Sequence, residues 1–127
     1  MAKEKIERIT FNGVTSFYQG GTEFFSLTET LDPQGSGARL EAAGELRSGV
    51  RYDLRDELML CAAMGKDIEL NMAKLTRISN SNMTVLLEIQ QTIDQIHRGS
   101  LTLRALPKEI YNALDRIGLT DLLMIED

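Results

Sequence analysis

The spacing of the hydrophobic positions changes midway along the chain. Between residues 67 and 72, apolar residues alternate with polar ones, as they do in a half-buried strand. Four small polar residues follow at 79–82, and apolar residues then recur at helical spacing from Met83 to Ile96, before Gly99. The pattern therefore predicts a strand that leads through a polar turn into a long amphipathic helix.

The first part of the chain consists of extended segments separated by turns. Residues 9–18 predict a strand or a bent pair of strands broken at Asn12-Gly13, and residues 22–31 predict another strand. The sequence Asp-Pro-Gln-Gly-Ser-Gly at 32–37 is a strong turn signal, because proline presets its own φ and glycine permits positive φ. Residues 38–46 should therefore return antiparallel to the preceding strand.

Helices and strands alternate in the rest of the chain. A helix should begin near Tyr52 or Asp53, where acidic residues suit the positive end of the helix dipole, and should stop at Gly65. Residues 100–105 predict a strand, Pro107 is placed to open a helix that ends at Gly118, and the tail predicts a short strand or a docked coil.

This order predicts an α/β fold in a single domain that spans residues 1–127. Strands joined by helices need right-handed parallel crossovers, whereas the early turns make antiparallel pairs. We therefore expect a mixed β-sheet of about four to six strands, with helices packed on it and antiparallel N-terminal strands. Residues 1–20 form an N-terminal extension that should add a strand. Such a strand at an open edge would either protect it or recruit a second copy, so a homo-oligomer is one option.

Charge and composition narrow the classes of function. The chain of 127 residues has a net charge of −5, which argues against nucleic acid or an anionic membrane as partner, because both need a basic surface. The single cysteine, Cys61, cannot form an internal disulfide. The first residues are charged and no apolar run approaches the length of a membrane span, so we expect no membrane insertion and a cytoplasmic location.

The sequence offers little that could carry catalysis. His97 is the only histidine and lies near a predicted helix end, where a cation suits the helix dipole. Cys61 lies on a predicted apolar face, which favours a buried structural thiol over a nucleophile. No cysteines or histidines have metal-ligand spacing, and Gly35-Ser36-Gly37 precedes a strand and not a helix. We therefore predict no catalytic residue, no metal, no cofactor and no enzyme activity.

The strand, turn and helix at 70–87 resemble the STAS domain, the fold of bacterial anti-sigma factor antagonists. In that family an apolar strand leads through a loop reading D-S-S-G or D-T-S-G into an apolar helix, and Ser81 matches the serine that family kinases phosphorylate. The chain departs from the family at three positions: Asn71 and Ser79 replace aspartates, and Asn82 replaces the loop glycine. The resemblance implies the STAS fold and a phosphorylation candidate at Ser81.

Two further segments carry the resemblance, which runs over about residues 22–125. Gly-Glu-Leu at 44–46 is similar to the end of the second STAS strand, although Arg47 replaces the aspartate that follows in the family. The sequence ALDRIGLTDLL at 113–123 is similar to the closing helix of the family and the residues after it.

The resemblance also implies a function by protein–protein interaction. It indicates an anti-sigma factor antagonist in a partner-switching system that regulates transcription, bound by an anti-sigma factor that is also a serine kinase. The predicted partner-binding residues lie at the turn and the helix start: Ser79, Asn80, Ser81, Asn82, Met83 and Thr84. Two alternatives stay open. One of the polar residues at 79–81 only caps the helix, or the domain is a regulatory or structural subunit of a membrane transport complex, as other STAS domains are.

Overall fold

The architecture is a mixed β-sheet covered by helices. A computed structural model describes residues 5–31, 35 and 37–127. Within these residues the chain forms seven strands and three α-helices: β1 (Ile6–Phe11), β2 (Val14–Gln19), β3 (Thr22–Leu31), β4 (Gly37–Leu46), α1 (Arg51–Ala63), β5 (Asp67–Ile78), α2 (Asn80–Ile96), β6 (Ser100–Arg104), α3 (Lys108–Arg116) and β7 (Met124–Glu126). Single 3₁₀ turns lie at Ser48–Val50 and Leu119–Asp121. The predicted turn at 32–37 falls largely outside the described residues.

All the described strands belong to one sheet, and their order in space follows their order in sequence. β1 to β4 pair antiparallel, and β4 to β7 pair parallel through the three helical crossovers. The predicted α/β fold with a mixed sheet is therefore confirmed. The seven strands exceed the expected four to six because residues 6–19 form a two-stranded hairpin and Met124–Glu126 adds a short edge strand.

The two faces of the sheet differ in polarity. Because the parallel strands advance in one direction, right-handed crossovers place all three helices on the same face. Strand residues on that face are buried: Ala38, Leu40, Ile68, Leu70, Leu101 and Leu103. The opposite, open face is polar. There Glu69 lies between Arg39 and Arg104 and pairs with both.

β5 carries two β-bulges that change the spacing of its buried residues. Its register against β4 shifts twice, and each shift places an extra residue in β5. The side-chain oxygen of Asn71 accepts a hydrogen bond from the amide of Ala73 at 2.9 Å, which stabilises the first bulge. Met72, Leu75 and Ile78 therefore face the helices at intervals of three residues instead of two. Asn71, which replaces a family aspartate, has a structural role in the strand.

The N-terminal hairpin, β1 with β2, is fastened to the helical layer. Arg8 of β1 pairs with Asp53 of α1 at 3.2 Å, and the side chain of Ile6 lies against Gly49. At the end of β2, the side-chain oxygen of Gln19 accepts a hydrogen bond from Arg47 at 2.9 Å. Residues 6–19 are thus an integral part of the sheet.

Candidate functional site

The polar turn lies where β5 ends and α2 begins, beside the end of β4. The amide of Ser79 donates to the carbonyl of Leu46 at 2.9 Å, which fixes the turn to β4. The hydroxyl of Ser79 accepts from the amide of Asn82 at 3.2 Å, so Ser79 is the N-cap of α2. Of the three residues that the sequence offered as caps, Ser79 takes the role, and the helix begins at Asn80.

The side chain of Asn82 links the first turn of α2 to the end of β4. It is fully buried, and its amide nitrogen lies 2.9 Å from the carbonyl of Arg47, 3.3 Å from that of Leu46 and 2.7 Å from the hydroxyl of Ser79. Its side-chain oxygen is buried, and no donor from the described residues bonds to it. Asn82 has ordinary helical geometry and not the positive φ that favours glycine. The position that is glycine in the family therefore holds a tie between α2 and β4.

The hydroxyls of Ser79 and Ser81 lie 3.0 Å apart. Ser79 accepts from the backbone amide of Asn82, and its hydroxyl also lies 2.7 Å from the side-chain nitrogen of Asn82. That nitrogen has two protons for three nearby acceptors, so it need not fill the second lone pair of Ser79. Either serine hydroxyl can therefore donate in the contact between them.

The predicted partner-binding residues divide between surface and core. Asn80 and Thr84 are exposed and Ser79 and Ser81 are half-buried, whereas Asn82 and Met83 are buried. Asn82 and Met83 belong to the inner face of the helix, together with Val85, Leu86 and Ile89. The expectation that these two residues contribute to the surface is therefore wrong for the folded chain. The accessible part of the site comprises Ser79, Asn80, Ser81 and Thr84.

A groove between α1 and α2 adjoins Ser81. It has a volume of about 450 Å³ and is lined by Arg51, Tyr52 and Arg55 of α1 and by Ser81, Thr84, Val85 and Glu88 of α2. Arg55 pairs with Glu88 at 2.9 Å, while Arg51 lies over the ring of Tyr52, 4.5 Å from its centroid, and donates to the carbonyl of Ser48 at 3.0 Å. With two arginines and one carboxylate, the residues that line this groove have a net positive charge. The sequence did not reveal it, because the groove depends on how the two helices pack.

The residues considered for catalysis occupy structural positions. His97 is the C-cap of α2, with φ of 60°, and is exposed. Cys61 is buried, as expected, and burial raises the pKa of its thiol to about 11, so the reactive thiolate is scarce. In the part of the chain that the structure describes, no group of histidine, cysteine or carboxylate side chains could hold a metal ion. None of the described helices has both the length and the apolar character needed to cross a bilayer.

A pair of carboxyl groups links β3 to α1. Glu29 of β3 shares a hydrogen bond with Glu57 of α1, and this bond, with burial and the repulsion between the two charges, raises the pKa of Glu29 to about 7. Lys66 opposes the shift through its positive charge. The two residues are 28 positions apart in sequence, so no local pattern could reveal that they meet. The pair joins the sheet to the helical layer and lies apart from the polar turn.

The fold matches solved structures at low sequence identity. A protein from Thermotoga maritima assigned as an anti-sigma factor antagonist superposes with a TM-score of 0.64 at 15% identity, over 80% of this chain and 86% of that one. The anti-sigma factor antagonist SpoIIAA in its unphosphorylated form gives 0.63 at 13%, over 80% and 87%. SpoIIAA of Bacillus in its phosphorylated form gives 0.62 at 14%, over 80% and 91%.

The match extends to a structure that is described as a STAS domain. This anti-sigma factor antagonist from Rhodobacter sphaeroides gives a TM-score of 0.53 at 12% identity, over 65% of this chain and 87% of that one. No protein-family model matches the sequence, and no curated protein matches it. The likeness therefore concerns the fold: the chain has the STAS fold that anti-sigma factor antagonists share.

Proposed function

We propose that this chain is a non-enzymatic anti-sigma factor antagonist of a bacterial cytoplasm, which regulates transcription by partner switching. Its partner is an anti-sigma factor with serine-kinase activity, which docks on the exposed start of α2. The observation that carries the proposal is the position of Ser81: it is half-buried at the N-terminus of α2 and borders the groove between α1 and α2. The fold supports it, because SpoIIAA, which shares that fold, has been solved with and without phosphate.

The surroundings of Ser81 suit a phosphoryl group. It is the second residue of α2, where free backbone amides and the helix dipole favour an anion. Phosphorylation would add about 1.5 to 2 negative charges. The arginines of the adjoining groove, Arg51 and Arg55, supply positive charge from α1. Phosphate would therefore be tolerated within the chain, yet would place bulk and charge where the partner docks.

A second candidate function follows from the uncharged loop. Asn71 and Ser79 replace the family aspartates, and both are engaged in holding the backbone, at the bulge of β5 and at the cap of α2. A loop without these carboxylates favours constitutive docking, as in a subunit of a membrane transport complex. The two functions differ in what co-purifies with the protein, an ATP-binding kinase-like protein or a membrane ATPase.

The test is a phosphate transfer experiment. The purified protein is incubated with ATP, magnesium and the serine kinases of its own cell extract, and any phosphate is mapped by intact mass and peptide mass. We expect one phosphoryl group on Ser81, lost in Ser81→Ala and retained in Thr84→Ala, because Thr84 is an exposed neighbour on the same turn. Absence of phosphate, with the extract active on a control antagonist, would exclude the switch and leave constitutive docking.

A binding titration tests the docking surface separately. Ser81→Asp places a negative charge beside the groove and should weaken capture of the partner about tenfold or more, as expected when a charge enters an interface. Gln91→Asp is the matched control, since Gln91 is exposed on the same helix but lies outside the site. Equal affinity of both variants and the parent chain would show that the partner docks elsewhere.

A further inference from the structure

β1 leaves one edge of the sheet open. It is the first strand in the sheet order, and among the described residues it pairs with β2 alone. Asn12 and Gly13, both with positive φ, form a two-residue hairpin turn between Phe11 and Val14. The closing pair of such a hairpin is hydrogen-bonded, so Phe11 and Ile9 direct their backbone groups toward β2. The backbone groups of Arg8 and Thr10 therefore point outward along the open edge.

Two of the exposed side chains of this strand are large and apolar. Ile9 is 54% exposed and Phe11 is 73% exposed, and both lie on the open face of the sheet, because Arg8 turns toward α1 on the other face. Edge strands are usually protected by proline, by charged side chains, by a bulge or by a covering element. Ile6–Phe11 contains no proline or lysine, and its register with β2 is continuous. Of its two charged residues, Arg8 is turned toward Asp53 on the helical face, so Glu7 is the one charge that this strand places on the open face.

We propose that a second copy of this chain pairs with the open edge, so that two β1 strands meet antiparallel around a two-fold axis. Such an axis is perpendicular to the joined sheet and keeps the two faces continuous, so paired residues must share a face. The axis must then pass through a residue position. The two central choices within Ile6–Phe11 are Arg8 and Ile9.

Charge decides between the two registers. An axis at Arg8 sets two arginines directly opposite each other, which is destabilising. An axis at Ile9 sets Ile9 against its copy, Glu7 against Phe11, and Arg8 against Thr10, and it uses the outward backbone groups of Arg8 and Thr10 for hydrogen bonds. Ile9 and its copy then form a pair that exchanges no backbone hydrogen bonds, in which the two side chains lie close together.

The charge of the strand fits a second copy of an acidic chain. Glu7 and Arg8 cancel within β1, although the whole chain carries a net charge of −5. Two copies therefore meet where their mutual repulsion is weak. Pairing residues 7–11 of each copy gives an interface below about 1,200 Å², the size of transient complexes, so we expect a dissociation constant of about 10 to 100 µM.

This arrangement leaves the polar turn of each copy accessible. In an antiparallel pair related by this axis, the strands of the two copies run in opposite directions. The C-terminal ends of the two β5 strands therefore lie at opposite ends of the joined sheet. The two Ser81 residues would therefore face away from each other. The dimer does not depend on the proposed function, since pairing uses only β1.

Sedimentation equilibrium over about 5 to 500 µM tests the pairing, because this range spans the expected dissociation constant. We expect the parent chain to shift from monomer to dimer. Ile9→Arg places two cations at the axis and should stay monomeric throughout, with unchanged thermal unfolding because the side chain is exposed. Ile117→Arg is the control, since Ile117 is 49% exposed but distant in sequence on the helical layer; it should dimerise like the parent.

Cysteine cross-linking tests the register. Ile9→Cys should form a disulfide-linked dimer under mild oxidation, whereas Glu7→Cys should not, because the proposed register sets Glu7 opposite Phe11. The native Cys61 is buried and should not compete. A parent chain that stays monomeric at the highest concentration, or an Ile9→Arg variant that still dimerises, would overturn the proposal. Cross-linking through Glu7→Cys instead of Ile9→Cys would overturn the register.

Discussion

Replacing Asn82 with alanine should destabilise the chain by about 2 kcal/mol. The amide nitrogen of Asn82 has two protons and three acceptors within reach, so it makes at most two bonds, each worth about 1 kcal/mol net. The carbonyls keep other donors, because Ser79 donates to Leu46 and Val50 donates to Arg47. The full cost of a buried unpaired carbonyl is therefore avoided, and the loss is that of the two bonds.

The free energy of unfolding is measured by urea titration and by thermal unfolding. For a chain of this length, a loss of about 2 kcal/mol lowers Tm by roughly 6 to 10 °C. Asn80→Ala is the matched control, since Asn80 is exposed on the same helical turn and should change stability by less than about 0.5 kcal/mol. Asn82→Gly should cost about 1 kcal/mol more than Asn82→Ala, through helix propensity. If Asn82→Ala were no more destabilising than Asn80→Ala, the tie between α2 and β4 would contribute nothing.

Two further variants test other contacts. Because folding raises the pKa of Glu29 from 4.5 to about 7, the folded chain binds the proton more tightly, so stability should fall as pH rises from about 4.5 to 7. After allowance for solvent screening, the free energy of unfolding should fall by about 1 kcal/mol over this range, and urea titrations of Glu29→Gln should not show this fall. If the variant had the same pH dependence as the parent chain, the interaction between Glu29 and Glu57 would be contradicted. Gly44→Ala should cost about 3 kcal/mol in the same assay, because its φ is +98° and the new methyl would clash with the carbonyl oxygen of Phe24. Gly118→Ala, with φ of +78° and open space, should cost about 1 kcal/mol; equal costs would refute the close contact.

The order of elements could be predicted from the sequence because it depends on local patterns. The small polar residues at 79–82 marked the start of α2, and the apolar stripe that follows defined the helix. The end of α2 was less well defined. His97 adopts the left-handed conformation itself, so the helix ends at Ile96, three residues before Gly99. The number of strands was underestimated because the hairpin signal at Asn12-Gly13 was left as a choice between one strand and two.

The site could be located from the sequence but not divided into surface and core. A polar asparagine in a polar turn looks exposed, and only the carbonyls at the end of β4, 35 and 36 residues away, make burial of Asn82 favourable. The groove beside Ser81 and the pair of Glu29 with Glu57 likewise depend on α1 packing against distant elements. Sequence periodicity specifies which face of an element is apolar, but not which polar groups meet across elements.

The N-cap role of Ser79 makes two neighbouring serines chemically unequal. A modifying enzyme that reached Ser79 would have to draw the capping oxygen away from the amide of Asn82, and so would have to disturb the first helical turn before it could act. Ser81 can react while that turn remains folded, because its hydroxyl supports none of the backbone bonds there. The cap thus provides selectivity between residues two positions apart, without any recognition of sequence by the enzyme.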